Sequence, residues 1–386
     1  MKRPLLQIAL LVLMAATVVA CRDEQVILLP EIENVSQPEY TSVRGFYLLN
    51  EANMASNKAS LDYYNYASGR YSRNVYERFN PGVVMKLGDV GNDIAIYGNR
   101  LYAVINCSNK VEVMDKNSVA RIGQIDIPNC RYIQFHKGYA YVTSYAGPVD
   151  LDLSKQQIGY VAKVDTATMQ VVDRCLVGYQ PDGLAIVNDR LYVANSGGYN
   201  PNNYENTISV LDLNTFTEVA RVPIAINLQY CLADRRGILW ISSRGDYYHH
   251  ASGIYAYDTR KQRLLGHIDC QTGNVWMDGD SLYVVGKGYS KITEDYGESS
   301  YIIINTLTMQ VVNQRFITDG TDQAIAIPYG VAVNPITKDI YVTDAKNYIT
   351  PGRLYCFGQD GVKKWDVLTG DIPAHFVFLG ENLNDN

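Results

Sequence analysis

The sequence predicts an all-β fold of seven radially stacked units, and three observations lead there. A short strand of Leu-Tyr-Val character recurs at Phe46-Tyr47-Leu48, Leu101-Tyr102-Ala103, Ala140-Tyr141-Val142, Leu191-Tyr192-Val193, Leu239-Trp240-Ile241, Leu282-Tyr283-Val284 and Ile340-Tyr341-Val342. The six intervals between Phe46 and Ile340 average about 49 residues, inside the roughly 40–50-residue range of propeller blades. Finally, the first copy has no strand before it, whereas Pro373-Ala374-His375-Phe376-Val377-Phe378 reads as an innermost strand with no partners after it. The expected architecture is a seven-bladed β-propeller over residues 43–386, with four-stranded blades and a ring closed by the C-terminal strand.

In chain order, residues 1–20 come first. Lys2 and Arg3 precede an apolar run from Leu5 to Ala20, the layout of a signal peptide. Val18-Val19-Ala20-Cys21 resembles a bacterial lipobox, which implies that Cys21 is acylated and anchors the mature chain; a plain signal peptide or short membrane anchor is the alternative. Arg22-Asp23-Glu24 resembles a surface-export tag of Gram-negative lipoproteins, and the stretch to Ser42 reads as a flexible tether. Loss of residues 1–20 removes two basic residues and no acid, taking the formal charge from −6 to −8. An acidic chain without a Lys/Arg stripe is a poor nucleic-acid binder.

The fourth repeat shows the blade plan most clearly. Gly183–Ile186, Leu191–Asn195, Thr207–Asp212 and Phe216–Pro223 read as four strands, with period-two alternation that places one face of each against a neighbouring blade. One such sheet cannot bury both faces alone, and radial stacking solves this. Tyr192-Val193-Ala194-Asn195, Tyr141-Val142-Thr143-Ser144 and Tyr341-Val342-Thr343-Asp344 resemble the Tyr-Val-Thr-Asn repeat of the YncE-like seven-bladed propellers. Asp165-Thr166-Ala167-Thr168 and Asn305-Thr306-Leu307-Thr308 fit the corner between third and fourth strands in that family. The scaffold itself hosts unrelated functions.

Seven cysteines leave six beyond Cys21. Cys107 follows a second strand and Cys130 precedes the next first strand, so both fall at one end of the ring. A Cys107–Cys130 disulfide is expected there, worth about 2–4 kcal/mol. Cys175, Cys231 and Cys356 are expected as buried thiols within strands, with Cys270 undecided.

Length is concentrated in one set of connections, those between second and third strands: 50–60, 144–160, 195–207, 243–253, 286–300 and 344–353. Long loops on a rigid scaffold are where binding residues gather. The chain has 31 Tyr against 8 Phe and 3 Trp, and these segments hold Tyr145, Tyr199, Asn200, Tyr204, Tyr247, Tyr248, Tyr289, Tyr296 and Tyr348. Tyrosine provides wide amphipathic contact at small entropic cost, and asparagine adds donors and acceptors. Aligning the starts of the innermost strands on Asp182-Gly183 gives a second set: Asn92-Asp93, Arg131-Tyr132, Gln229-Tyr230, Gly273-Asn274, Tyr329-Gly330 and Ala374-His375. This polar, aromatic mouth suits a large, amide-bearing, near-neutral ligand; structural plugging of the channel is the alternative.

Catalytic signatures are sparse. His249-His250 lack a Cys or His-x-His partner, and no nucleophile elbow or phosphate-cradling loop occurs, so neither enzyme activity, a resident cofactor nor a metal site is expected. In whole-chain character the protein resembles the BtuG-type cobalamin-binding surface lipoproteins. That resemblance implies capture of cobalamin (vitamin B12) and delivery to a BtuB-like, TonB-dependent outer-membrane transporter, from a lipid-anchored position on the cell surface. The expected binding residues are Arg131, Tyr132, Tyr145, Tyr199, Asn200, Tyr204, Tyr230, Tyr247, Tyr248, His249, His250, Trp276, Tyr289, Tyr329 and Tyr348. A surface glycan-binding lipoprotein and a protein–protein scaffold are the alternatives.

Overall fold

The structure, a computed structural model, describes residues 31–84, 86–150, 152 and 155–380. The signal peptide, Cys21 and the first part of the tether lie outside these residues. Among the described residues the strands form seven antiparallel sheets. Blade one contains β1 (Ile32–Asn34), β2 (Val43–Asn50), β3 (Ser60–Asn65) and β4 (Arg70–Ser72). Blade two is β5 (Gly91–Tyr97), β6 (Arg100–Ile105), β7 (Lys110–Asp115) and β8 (Arg121–Asp126). Blade three is β9 (Cys130–His136), β10 (Tyr139–Ser144), β11 (Tyr160–Asp165) and β12 (Gln170–Leu176). Blade four is β13 (Pro181–Val187), β14 (Arg190–Asn195), β15 (Thr207–Asp212) and β16 (Thr217–Pro223). Blade five is β17 (Leu228–Ala233), β18 (Ile238–Ser243), β19 (Gly253–Asp258) and β20 (Arg263–Asp269). Blade six is β21 (Asn274–Asp278), β22 (Ser281–Ser290), β23 (Asp295–Asn305) and β24 (Gln310–Asn313). Blade seven is β25 (Pro328–Val333), β26 (Ile340–Asp344), β27 (Pro351–Phe357) and β28 (Lys363–Asp371), and β29 (Pro373–Gly380) returns to pair with β2. The seven-bladed ring and its C-terminal closure are as the repeat predicts.

The period-two pattern explains the core. In β6, Leu101, Ala103 and Ile105 pack toward blade one while Tyr102 and Val104 pack toward blade three. Repeated around the ring, this alternation produces seven buried clusters, one for each interface between neighbouring blades. The Thr of the repeat has a separate task. Six of the seven innermost strands bulge near their start, and Thr143 Oγ1 accepts the Tyr132 N–H (3.0 Å) at one such bulge while donating to the Asp182 carbonyl of the next blade (3.0 Å). Thr343 does the same between Gly330 N–H (2.7 Å) and the Pro373 carbonyl (2.6 Å). The outer corners are Asx turns: Asp165 Oδ1 accepts the N–H groups of Ala167 and Thr168, both at 2.9 Å, and Met169 then takes a left-handed φ of 59°.

Three expectations need correction. The tether expected to run to Ser42 ends earlier, because β1 adds a fifth strand to blade one: β4 is only three residues long, and its open edge is covered by Ile32–Asn34. Arg73 Nη2 fastens that strand to Glu33 Oε2 at 2.7 Å. The 286–300 segment is not a loop but the continuation of β22 and β23 into a long hairpin, with Tyr289 opposite Tyr296. Finally, Cys107 and Cys130 are both free thiols. Cys130 is wholly buried in β9, with Sγ directed at the carbonyls of Lys110 (3.3 Å) and Ile105 (3.7 Å), whereas Cys107 Sγ turns to Asn106 Oδ1 (3.2 Å). Burial pushes the Cys130 thiol up to about 12, which keeps it protonated and unreactive.

Candidate functional site

The innermost strands begin around the central axis, and there they build the floor of a basin of about 790 Å³. Nine tyrosines line it: Tyr132, Tyr199, Tyr230, Tyr247, Tyr248, Tyr289, Tyr296, Tyr329 and Tyr348. Arg131, His249 and His250 join them, so most of the expected binding residues converge. Four do not line it. Tyr145 lies beneath the floor, donating to Asp182 Oδ1 at 2.6 Å with its ring 4.8 Å from the Arg131 guanidinium. Asn200 turns within its own loop, its N–H on the Gly197 carbonyl at 2.8 Å. Tyr204 is a half-buried neighbour of Tyr247, its phenol pushed up by burial and then by Tyr247 and Asp246. Trp276 lies elsewhere, edge-on to Phe378 at 5.7 Å in the wall of a narrower axial cavity of about 220 Å³.

Tyr132 and Tyr230 line both cavities, meeting edge-to-face at 5.8 Å. They form a partition between basin and axial cavity. Burial drives the phenols of Tyr132, Tyr230 and Tyr329 well above their usual value, so they act as neutral donors and acceptors. Neighbouring blades are stitched together around this floor. Asn92 Nδ2 donates to the Arg131 carbonyl (2.7 Å), Asn274 Nδ2 to Tyr230 Oη (3.1 Å) and Tyr329 Oη to Glu51 Oε2 (2.8 Å). Glu51 Oε1 also meets His375 Nε2 at 2.8 Å. In the axial cavity Asp93 is pushed up to about 6, because burial outweighs the favourable effects of His375 and of the Ile133 and Ile94 N–H groups.

The high wall comes from blades five and six. Asp246 Oδ1 accepts three backbone N–H groups, from Tyr248 (2.8 Å), His249 (2.7 Å) and His250 (2.9 Å), and Oδ2 meets His250 Nδ1 at 2.6 Å. Partial burial works against ionisation here, but these bonds prevail and hold the carboxyl well below the usual range. The loop is thereby fixed in shape, with Tyr247 in a left-handed backbone at φ 66°. Tyr348 in blade seven repeats this at φ 63°. Bulky residues in that region store strain of order 1–3 kcal/mol, and both occurrences face the basin. Lys291 N–H bonds the Tyr247 carbonyl (2.9 Å), tying the loop to the blade-six hairpin, where the Tyr289 and Tyr296 rings lie 5.1 Å apart.

Arg244, Glu51, Lys287 and Gln271 also line the basin and are absent from the expected set. The first three share one repeat position, the residue immediately after the second strand's conserved-length core, where blade three has Tyr145. Aligning that position across blades is the signal that finds them. Among the described residues no group of three His, Cys, Asp or Glu side chains is placed to hold a metal ion.

A sequence-family profile described as "Domain of unknown function (DUF5074)" matches residues 44–178, which is blades one to three. No curated protein sequence matches the chain. Solved structures do resemble it in fold. A quinonprotein alcohol dehydrogenase-like protein from Bacteroides thetaiotaomicron aligns with TM-score 0.59 and 11% identity over 88% of this chain and 79% of that one. Hydrazine synthase from Kuenenia stuttgartiensis aligns with TM-score 0.54 and 16% identity, over 70% and 77% respectively. At these identities the likeness concerns architecture, not chemistry. The chain is a seven-bladed β-propeller, and its residues 44–178 match the DUF5074 domain.

Proposed function

We propose that the protein is a lipid-anchored, cell-surface receptor that captures cobalamin or a related corrinoid in the tyrosine-lined basin and passes it to a BtuB-like, TonB-dependent outer-membrane transporter. It works as a binding protein without a catalytic step. The observation that supports this reading most is the pairing of nine tyrosines with a hydrogen-bonding floor in one open basin. A corrinoid has a broad, partly apolar macrocycle rimmed with amides. Aromatic walls cover its flanks, while Gln229, Gln271, Asn92, tyrosine hydroxyls and backbone groups pair with its amides. Each amide left unpaired would cost roughly 1–3 kcal/mol, so a ligand of this kind needs a wall rich in donors and acceptors.

A glycan receptor would use exposed indole platforms, and the tryptophans are placed otherwise. Trp240 is buried between blades five and six, Trp365 packs on Tyr64 and Tyr341, and Trp276 faces the axial cavity. Calorimetric and absorbance titration of the full chain in detergent with cyanocobalamin tests the proposal. Binding at micromolar or lower concentration with a shift of the corrin bands is expected, weakened about 10–100-fold in Tyr247→Ala/Tyr248→Ala. Absence of both heat and spectral change with the unaltered protein rejects it.

A further inference from the structure

The basin floor carries a charge pattern that a neutral ligand leaves unused. Asp182 is fully buried and its acceptors are engaged: Oδ1 receives Arg131 Nε (3.3 Å) and Tyr145 Oη (2.6 Å), and Oδ2 receives Arg244 Nη1 (3.0 Å). One carboxylate therefore faces two guanidinium groups, and a single positive charge is left over. Arg131 uses only Nε in this contact and Arg244 only Nη1, with a long Asn227 contact at 3.5 Å. Among the described residues no other side-chain nitrogen of either arginine has a hydrogen-bond acceptor. Both side chains are largely buried, 15% and 22% exposed on the basin side, and a bound anion there would supply the acceptors that the described residues do not.

The surroundings sharpen the argument. Glu51 is the carboxylate lining the basin, and it is occupied by Tyr329 and His375. Lys287 adds a third cation to the wall. A net positive focus thus sits at the centre of a chain whose formal charge is −6. The Tyr145 ring centroid lies 4.8 Å from the Arg131 guanidinium, a contact that helps hold the group in place, and the two terminal nitrogens of Arg131 have no acceptor among the described residues.

We propose that Arg131 and Arg244 form a subsite for a monoanionic oxyanion of the phosphodiester class, one non-bridging oxygen to each guanidinium. The charge count sets the monoanion, because one negative charge neutralises what Asp182 leaves. Two guanidinium groups anchored on different oxygens of one carboxylate suit two separate acceptor oxygens. The ligand is then singly charged at this point rather than near-neutral throughout. In the corrinoid reading, on which only this identification rests, the group is the phosphodiester that links the corrin ring to its nucleotide base.

Two measurements on the full chain in detergent test the subsite. Phosphorus NMR with dimethyl phosphate is expected to show line broadening that saturates with protein, is lost in Arg244→Gln and is partly recovered in Arg244→Lys; acetate, as a carboxylate, is expected to compete weakly. Calorimetry is expected to show cyanocobalamin weakened about 10–100-fold by Arg244→Gln, with cyanocobinamide, which lacks the phosphodiester and nucleotide, unchanged. Equal broadening by unaltered protein and Arg244→Gln, or an equal loss for both corrinoids, overturns the subsite while leaving corrinoid capture standing. Dimethyl phosphate binding without any cobalamin binding overturns corrinoid capture and leaves the subsite standing.

Discussion

Blades two and six are built on the same four-strand repeat and differ mainly in one connection. In blade two, β6 and β7 are joined by the tight turn 106–109, and the blade gives the basin only Val90 and Asn92, both at the start of its innermost strand. In blade six, β22 and β23 run on to ten and eleven residues and carry Lys287, Tyr289 and Tyr296 up the basin wall. The strands of both blades make the same kind of interblade core, so the ring does not depend on which connection is present. Stability is written in the strands and recognition in what is added between them.

The strongest way to break that division is to damage the strands. Deleting residues 373–386 removes Phe376, Val377, Phe378 and Leu379 from two interblade clusters. At about 1.5–3 kcal/mol per buried side chain this approaches the whole stability of a typical domain, about 5–15 kcal/mol. Loss of the cooperative thermal transition by circular dichroism is expected, and a transition within a few degrees of the intact chain would mean that blade one does not need its closing strand. Next in size is the complementary change, replacing 288–297 by an Asn-Gly turn so that blade six resembles blade two. Cobalamin affinity is expected to fall about tenfold or more by calorimetry, with the melting temperature preserved within roughly 4 °C. A large drop in melting temperature would show that the hairpin is structural.

The smallest effect is expected from Asp93, the half-buried acid of blade two. Its carboxyl is raised to about 6 in the folded state against about 4 in an unfolded chain. The fold therefore gains from this group below pH 4, loses that gain as pH climbs through 6, and carries the full cost above it, at most ~3 kcal/mol. Urea denaturation between pH 4 and 7 is expected to show this decline, and Asp93→Asn is expected to flatten it. An unchanged slope in the variant would assign the pH dependence to other groups.

The ring was legible because its code is local and repeated. Leu191-Tyr192-Val193 fixes a buried second strand by alternation alone, and Asp165 fixes its corner through Asx bonds to the next residues. The rim is legible where the repeats can be aligned, and Arg131, Tyr132, Tyr230 and Tyr329, which the alignment puts at the starts of innermost strands, line the basin. Trp276 lines the axial cavity and not the basin, because its position in β21 does not say which end of the axis its side chain faces. Glu51, Arg244 and Lys287 differ in chemistry from blade to blade, and the position after the second strand that they share becomes visible only when the repeats are aligned there. The free thiols of Cys107 and Cys130 teach a related lesson, since proximity at one end of a ring does not determine where Sγ points.

The wall of the basin is lopsided. Among the described residues, blades four to seven line it with Tyr199, Tyr247, Tyr248, Tyr289, Tyr296 and Tyr348, while blades one to three contribute Glu51, Val90, Asn92, Arg131 and Tyr132. A guest held there would be gripped on one flank and bare on the other. Under the proposed function, that bare flank is where an acceptor protein would take hold of the guest.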